Sequence, residues 1–152
     1  MSRAVSSVIG VVLLVALAVV LSATVLTGVS VSMPESPPTA SFDIAVDAST
    51  DSIELSHRGG DALDVSDLDV RVRIDGEELR HQPPVPFFAA HGFESGPEGA
   101  FNSASENTLR AGETTSFRLA ETNDPQLHAG VDVTVQITAG NSVIYDETTT
   151  AT

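Results

Sequence analysis

The chain has no cysteine, no lysine and no tryptophan, and only one tyrosine among its 152 residues. Without cysteine there is neither a disulfide framework nor a thiolate metal site. Without lysine, all fixed positive side-chain charge rests on arginine, and it is unevenly placed. Residues 1–34 carry only Arg3, whereas residues 35–152 carry six arginines against 21 Asp and Glu, a net −15. That part offers no basic patch to hold phosphates, which argues against nucleic acid as a partner. Lysine-free acidity is expected of a domain kept soluble in very salty water, where screening weakens self-repulsion. An ordinary acidic extracellular domain is the plainer alternative.

Recognisable reaction chemistry is missing too. His57, His81, His91 and His128 are scattered, with no i, i+4 pair and no metal-ligand spacing. Asp61, Asp64, Asp67 and Asp69 cluster without the D-x-[DN]-x-[DN]-G calcium loop, and they read as a solvated acidic face. There is no G-x-S-x-G, no P-loop, no G-x-G-x-x-G ahead of a helix and no N-x-[ST] acceptor. No nucleophile, base or metal constellation supports an enzyme, and no cofactor is expected.

What the chain does have is a long apolar run. Val5 to Val31 contains no charge and no proline, and fifteen of the residues from Val8 to Val31 are Val, Ile or Leu. A helix rising ~1.5 Å per residue would cover a hydrocarbon core of ~30 Å with length to spare. Its side chains favour insertion by on the order of 5–9 kcal/mol, an upper figure because the ends gain less. A helix apolar all round sits in lipid, against other helices, or in each at different times. Ala18 and Ser22 stand four apart, as do Ala23 and Thr27, and Thr24 and Gly28. Together with Gly10 these are the candidate packing positions, since small residues let helix backbones approach closely. Simple dilution of a valine-rich span is the alternative. Arg3 before the run and acid after it place the N-terminus inside and residues 35–152 outside. The run is too long for an ordinary secretory signal core.

Pro34, Pro37 and Pro38 stop the helix and stiffen a connector over 33–40. Thereafter the chain alternates apolar and polar residues over 41–47, 52–57, 69–74, 77–80, 114–119 and 130–138, with Asp75-Gly76 and Gly140-Asn141 as turns. Val143 and Tyr145 follow, before a threonine-rich tail. Gly59-Gly60 and Gly112 read as turns requiring positive φ. The expected fold is α+β: one long N-terminal hydrophobic helix, then an immunoglobulin-like antiparallel β-sandwich of about seven strands over 41–150. Residues 81–108 interrupt the rhythm with four prolines and with Phe87, Phe88, Phe93 and Phe101. Loops of this length are usually functional or disordered. Either these aromatics are outer-surface contacts, or they fold back over an open edge or end of the sandwich.

The start Arg3-Ala4-Val5-Ser6-Ser7-Val8-Ile9-Gly10-Val11 resembles that of archaeal type IV pilins, haloarchaeal ones in particular, which commonly read A-V-S-P-V-I-G-V after a short charged head. His57 to Asp64, followed by Val70 to Gly76, is similar to the glycine-pair segment of that family's β domain. Ser7 departs from the family's proline without touching the apparent cleavage residues. The resemblance implies a leader of residues 1–4, cut by a prepilin peptidase between Ala4 and Val5 with Arg3 two residues upstream; a cut after Arg3 is the alternative. It implies a homo-oligomeric helical filament for adhesion, the helices 5–32 lying in the membrane before assembly and in the filament core afterwards, the β domains outward. A non-polymerising membrane-anchored binding module, or a minor or tip pilin, is the competing expectation.

Overall fold

The protein is described by a computed structural model covering the backbone of residues 2–28 and 36–152 and the side chains of residues 5–22 and 36–152. It falls into two compact units, Met1–Glu35 and Ser36–Thr152, each considered by itself. The side chains of Arg3, Ala4, Ala23, Thr24, Thr27 and Gly28, and the connector residues 29–35, lie outside the described residues.

The first unit holds one helix, α1 (Ser2–Gly28), of 27 residues. Its length is about 40 Å at the usual rise. Every side chain from Val5 to Ser22 is exposed.

The second unit is the head, an antiparallel β-sandwich-like domain of nine strands: β1 (Ala40–Asp47), β2 (Ser52–Gly60), β3 (Leu63–Asp64), β4 (Leu68–Ile74), β5 (Glu77–Glu78), β6 (Thr108–Leu109), β7 (Thr114–Arg118), β8 (Asp132–Ala139) and β9 (Ser142–Thr150). One sheet runs β1-β2-β7, a second β5-β4-β8-β9, and β3 pairs with β6 in a small third. Two-residue strands such as β3 and β6 are too short to show a period, which is why the alternation gives fewer. The threonine-rich tail belongs to β9: Thr148, Thr149 and Thr150 pair with Thr134, Val133 and Asp132.

Alternation decides the core. In β4, Leu68, Val70, Val72 and Ile74 are buried while Asp69 and Arg71 face solvent. The facing β8 puts Ile137 opposite Val70, Val135 opposite Val72 and Val133 opposite Ile74. Each such side chain contributes roughly 1.5–3 kcal/mol on leaving water. A one-residue slip would turn the whole row outward, so burial fixes the register. The other sheet answers with Phe42, Val46, Ile53, Leu55 and Phe117.

The 81–107 segment adds aromatics to this core. Phe87, Phe93 and Phe101 are buried, Phe93 meeting the Phe117 ring edge-on at 5.5 Å. The segment also closes the open edge of β7: Glu98 and Ser116 exchange backbone hydrogen bonds, and Glu94 N donates to Arg118 O at 2.9 Å. Two buried polar side chains hold it there. The Thr115 hydroxyl donates to Glu98 O and accepts from Phe101 N. Asn123 donates to His81 O and Gly92 O and accepts from His81 N. Gln82 does the same for β4, its side-chain amide accepting from Val72 N and donating to Val72 O. An edge strand left with bare amides invites wrong pairing, and these contacts remove that risk.

The glycine pair needs correction. Gly60 alone has a positive φ, +106°, and Gly59 is ordinary strand paired with Ser41. A Cβ on Gly60 would lie 2.1 Å from Thr39 O, because the backbone passes it there to form the Asp61 N to Thr39 O bond. Asp61 returns the contact by accepting from Thr39 N at 2.9 Å. Asp75-Gly76 is the hairpin turn expected, with φ of 50° and 81°, but there a Cβ meets open space.

His57 is fully buried and stacks on Phe42 with ring centroids 5.0 Å apart. Among the described residues neither of its ring nitrogens has a hydrogen-bond partner. Burying such a group without compensation is unfavourable.

Two outcomes follow. Gly60→Ala should cost roughly 2–4 kcal/mol in urea denaturation, against about 1 kcal/mol for Gly76→Ala, where only the backbone strain applies. His57→Leu should raise stability by about 1 kcal/mol at neutral pH, because it removes unsatisfied polar atoms from the core.

Candidate functional site

Two surfaces of this protein lack an explanation within the chain that carries them. The first is α1. Val5–Ser22 is long and apolar enough to cross a membrane, and none of it is buried. Leu14 is 70% exposed. Of the packing positions expected here, Gly10 has nothing within 4 Å of a would-be Cβ, and Ala18 and Ser22 are exposed. The Ser22 hydroxyl donates to Ala18 O at 2.7 Å, back into its own helix. That bond satisfies the hydroxyl in an apolar setting and leaves the Ala18–Ser22 face small and nearly apolar. Close helix contact there would come from packing.

The second surface is on the head. Of the four phenylalanines considered as outer contacts, Phe87, Phe93 and Phe101 are excluded by burial, and Phe88 is 58% exposed. Phe88 is not on a loose tip. Its carbonyl accepts from Gly96 N at 2.7 Å, and Phe87 beside it exchanges backbone bonds with Phe101 and Ser103. Ala89 and His91 are also exposed, and His91 stacks on His81 at 5.4 Å.

Across the head, β1 and β9 are the outer strands of their sheets. They meet at one end, where Ala48 N donates to Thr152 O and Thr152 N donates to Val46 O, at 2.9 and 3.0 Å. Phe42 and Tyr145 bridge them again, ring centroids 5.3 Å apart. Beside this seam lies an open cleft of about 450 Å³, with Ile44, Ala45 and Tyr145 among its apolar lining and Asp43, Glu54 and Glu147 among its acidic lining. Arg58 also lines it but is held by Asp43 at 2.6 Å. Tyr145 donates its hydroxyl to Glu147 at 2.8 Å. Burial, then the hydrogen bond to Glu147, then the charges of Glu147 and Asp43, push the phenol above its ordinary value.

The remaining motifs of interest are structural. Asp64 accepts from Ser66 N at the start of a short 3-10 turn, and Asp69 pairs with Arg71. Among the described residues no three His, Asp or Glu side chains are grouped to hold a metal ion. The cleft and Asn123 escape a reading of the sequence, because both depend on residues far apart in the chain.

Comparison with known proteins adds kinship. The chain is 32% identical over 121 residues to a protein of Archaeoglobus fulgidus described as an uncharacterized protein, the match covering 78% of this chain and 74% of that one. The chain belongs to that protein's family. No family model matches it. That kinship leaves the role of helix and head to be argued from their surfaces.

Because Tyr145 is the single tyrosine, its ionisation can be followed directly by near-ultraviolet absorbance. In the folded protein it should titrate above the ordinary 10.0, and Glu147→Gln should bring it back towards that value. With the folded value raised, the phenol's contribution to stability is present below pH 10 and is lost as pH rises beyond it. Ionisation at the ordinary value in folded protein would contradict the Tyr145–Glu147 contact.

Proposed function

We propose that the chain is a pilin, the structural subunit of an archaeal type IV pilus-like surface filament used for adhesion. The observation that carries this reading is α1: an apolar helix whose described side chains, Val5 to Ser22, are all exposed. Before assembly the helix lies in the membrane with its N-terminus cytoplasmic. A prepilin peptidase removes Met1 to Ala4, taking away the charged Arg3 that anchors the helix. The helices then exchange lipid for copies of one another, and the β domains face outward. The resemblance of Arg3 to Val11 to archaeal pilins supports the cut and the assembly. A helix that suffices as a single membrane anchor also favours a second reading, a membrane-anchored extracellular binding module that keeps its leader and never polymerises; a minor or tip pilin stands between the two.

Mass spectrometry of assembled surface material decides between them. The filament reading expects a mature N-terminus at Val5. Intact Met1 in assembled filaments would sink it, and finding only detergent-solubilised monomers by electron microscopy would favour the anchored module. Gly28→Leu should reduce filament yield more than membrane insertion, since close helix approach is lost while apolarity rises.

A further inference from the structure

The head carries an exposed aromatic, Phe88, and a cleft that it does not line. Phe88 projects from the segment that extends the first sheet beyond β7, held there by the Gly96–Phe88 and Glu98–Ser116 backbone bonds. The cleft lies on the exposed face of β1 and β2, where Asp43, Ala45, Glu54 and Arg58 stand with Tyr145 and Glu147 of β9. Projection and cleft are separate patches of one head, and Phe88 stays 58% exposed within its own molecule. They also do not form a self-complementary patch, which a two-fold dimer would require. Head-to-tail contacts of this kind repeat in one direction and give rings or open filaments.

Charge selects the same pair. Residues 35–152 carry a net −15, so most surfaces of two such heads repel. Residues 79–93, which contain Phe88, hold no Asp or Glu and include Arg80, His81 and His91. Arg80 is paired with Asp124, and the exposed Glu94 and Glu98 flank Gly96, so the surface around Phe88 is less acidic than the rest of the head without being free of acid. The cleft offers the reverse: Asp43, Glu54 and Glu147 around an apolar strip of Ile44, Ala45 and Tyr145. Its volume of about 450 Å³ has room for a phenyl ring. Phe88 comes to it already ordered by its buried neighbours, so little side-chain freedom is lost on docking.

We infer that Phe88 of one copy docks into the β1–β9 cleft of the next, a head-to-head contact running along the assembly. The inference rests on the chain assembling with copies of itself, as proposed above. Docking would cover an exposed aromatic and bring a less acidic surface to an acidic rim, as anchor residues do at interface centres.

The absence of cysteine makes the contact directly testable in the full-length chain. Ala45→Cys with Ala89→Cys marks cleft and projection at exposed positions while leaving Phe88 intact. Ala18→Cys, in a separate variant, marks the helices. Mild oxidation of surface material should give a ladder of disulfide-linked multimers from the Ala45→Cys/Ala89→Cys chain. Adding Phe88→Glu should reduce that ladder about tenfold, the loss expected of a central aromatic anchor. Cross-links through Ala18→Cys with none through the head pair would overturn the head contact and leave the filament reading standing. Absence of both would overturn the filament reading, and the contact with it. Dimers from Ala89→Cys alone, at equal yield, would show a symmetric Phe88 contact and also overturn the inference.

Discussion

An all-apolar helix in water orders solvent around every turn and gains nothing in return. That constraint governs the rest of this protein. α1 has no stripe of polar residues to present to water, and none of Val5–Ser22 is buried. Its environment must therefore be lipid or other helices, and the two are similar enough in polarity that transfer between them costs little. What decides the balance is packing detail, because burial of apolar surface is already complete in the bilayer. The Ser22 hydroxyl bond to Ala18 O fits either setting, since the group arrives already satisfied. Removal of a single charged head would then matter more than any change in the apolar stretch, for charge is what ties a helix end to one side of a membrane.

The head has to remain folded whichever environment the helix occupies, and its construction allows that. Its core is closed by its own residues: valine and isoleucine from β4 and β8 on one side, phenylalanines from β1, β7 and the 81–107 segment on the other. The same segment covers the β7 edge, and the Gln82 amide covers β4 at Val72. These protections matter more for a domain at high local concentration than for a dilute one. Bare edges would pair with neighbours indiscriminately, and the directional contact needed for ordered assembly would be lost.

Much of this architecture is legible from short-range pattern. The helix follows from composition alone. β1, β2, β4 and β8 follow from alternation, and the β4–β5 hairpin from Asp75-Gly76, since a turn with two positive φ values admits few other residues. The connectivity of the 81–107 segment does not follow. Its aromatics belong to the core because they pack on Phe117 of β7, with the Phe93 and Phe101 rings 5.5 and 6.0 Å from it, and that contact joins residues that no local pattern links. Gly60 looked like half of a tight turn, yet its role is set by Thr39, 21 positions earlier in the chain. His57 shares the face of Ile53 and Leu55 in β2, so its burial follows from the alternation, whereas its stacking on Phe42 does not. Among the surface features, Phe88 stands in a run of aromatics that the sequence cannot divide into buried and exposed. The β1–β9 cleft is invisible to local pattern altogether, being made by strands a hundred residues apart.

Charge links these observations. Two heads of this composition repel at low salt over the ~10 Å Debye length of 0.1 M solution, and at 1 M that distance shrinks to ~3 Å. Screening on that scale removes the general repulsion but leaves contact-range effects, so shape and local charge decide which surfaces meet. In the proposed filament, helix packing would set how far apart heads stand, without regard to their charge. A head held at close quarters by its helix would have no option of drifting away from unfavourable neighbours. The least costly face to present would then be the least acidic one, and residues 79–93, from which Phe88 projects, hold no Asp or Glu of their own. In the proposed filament, acid on most of the surface would keep unassembled heads apart, and its absence from that stretch would leave one direction in which assembled heads could meet.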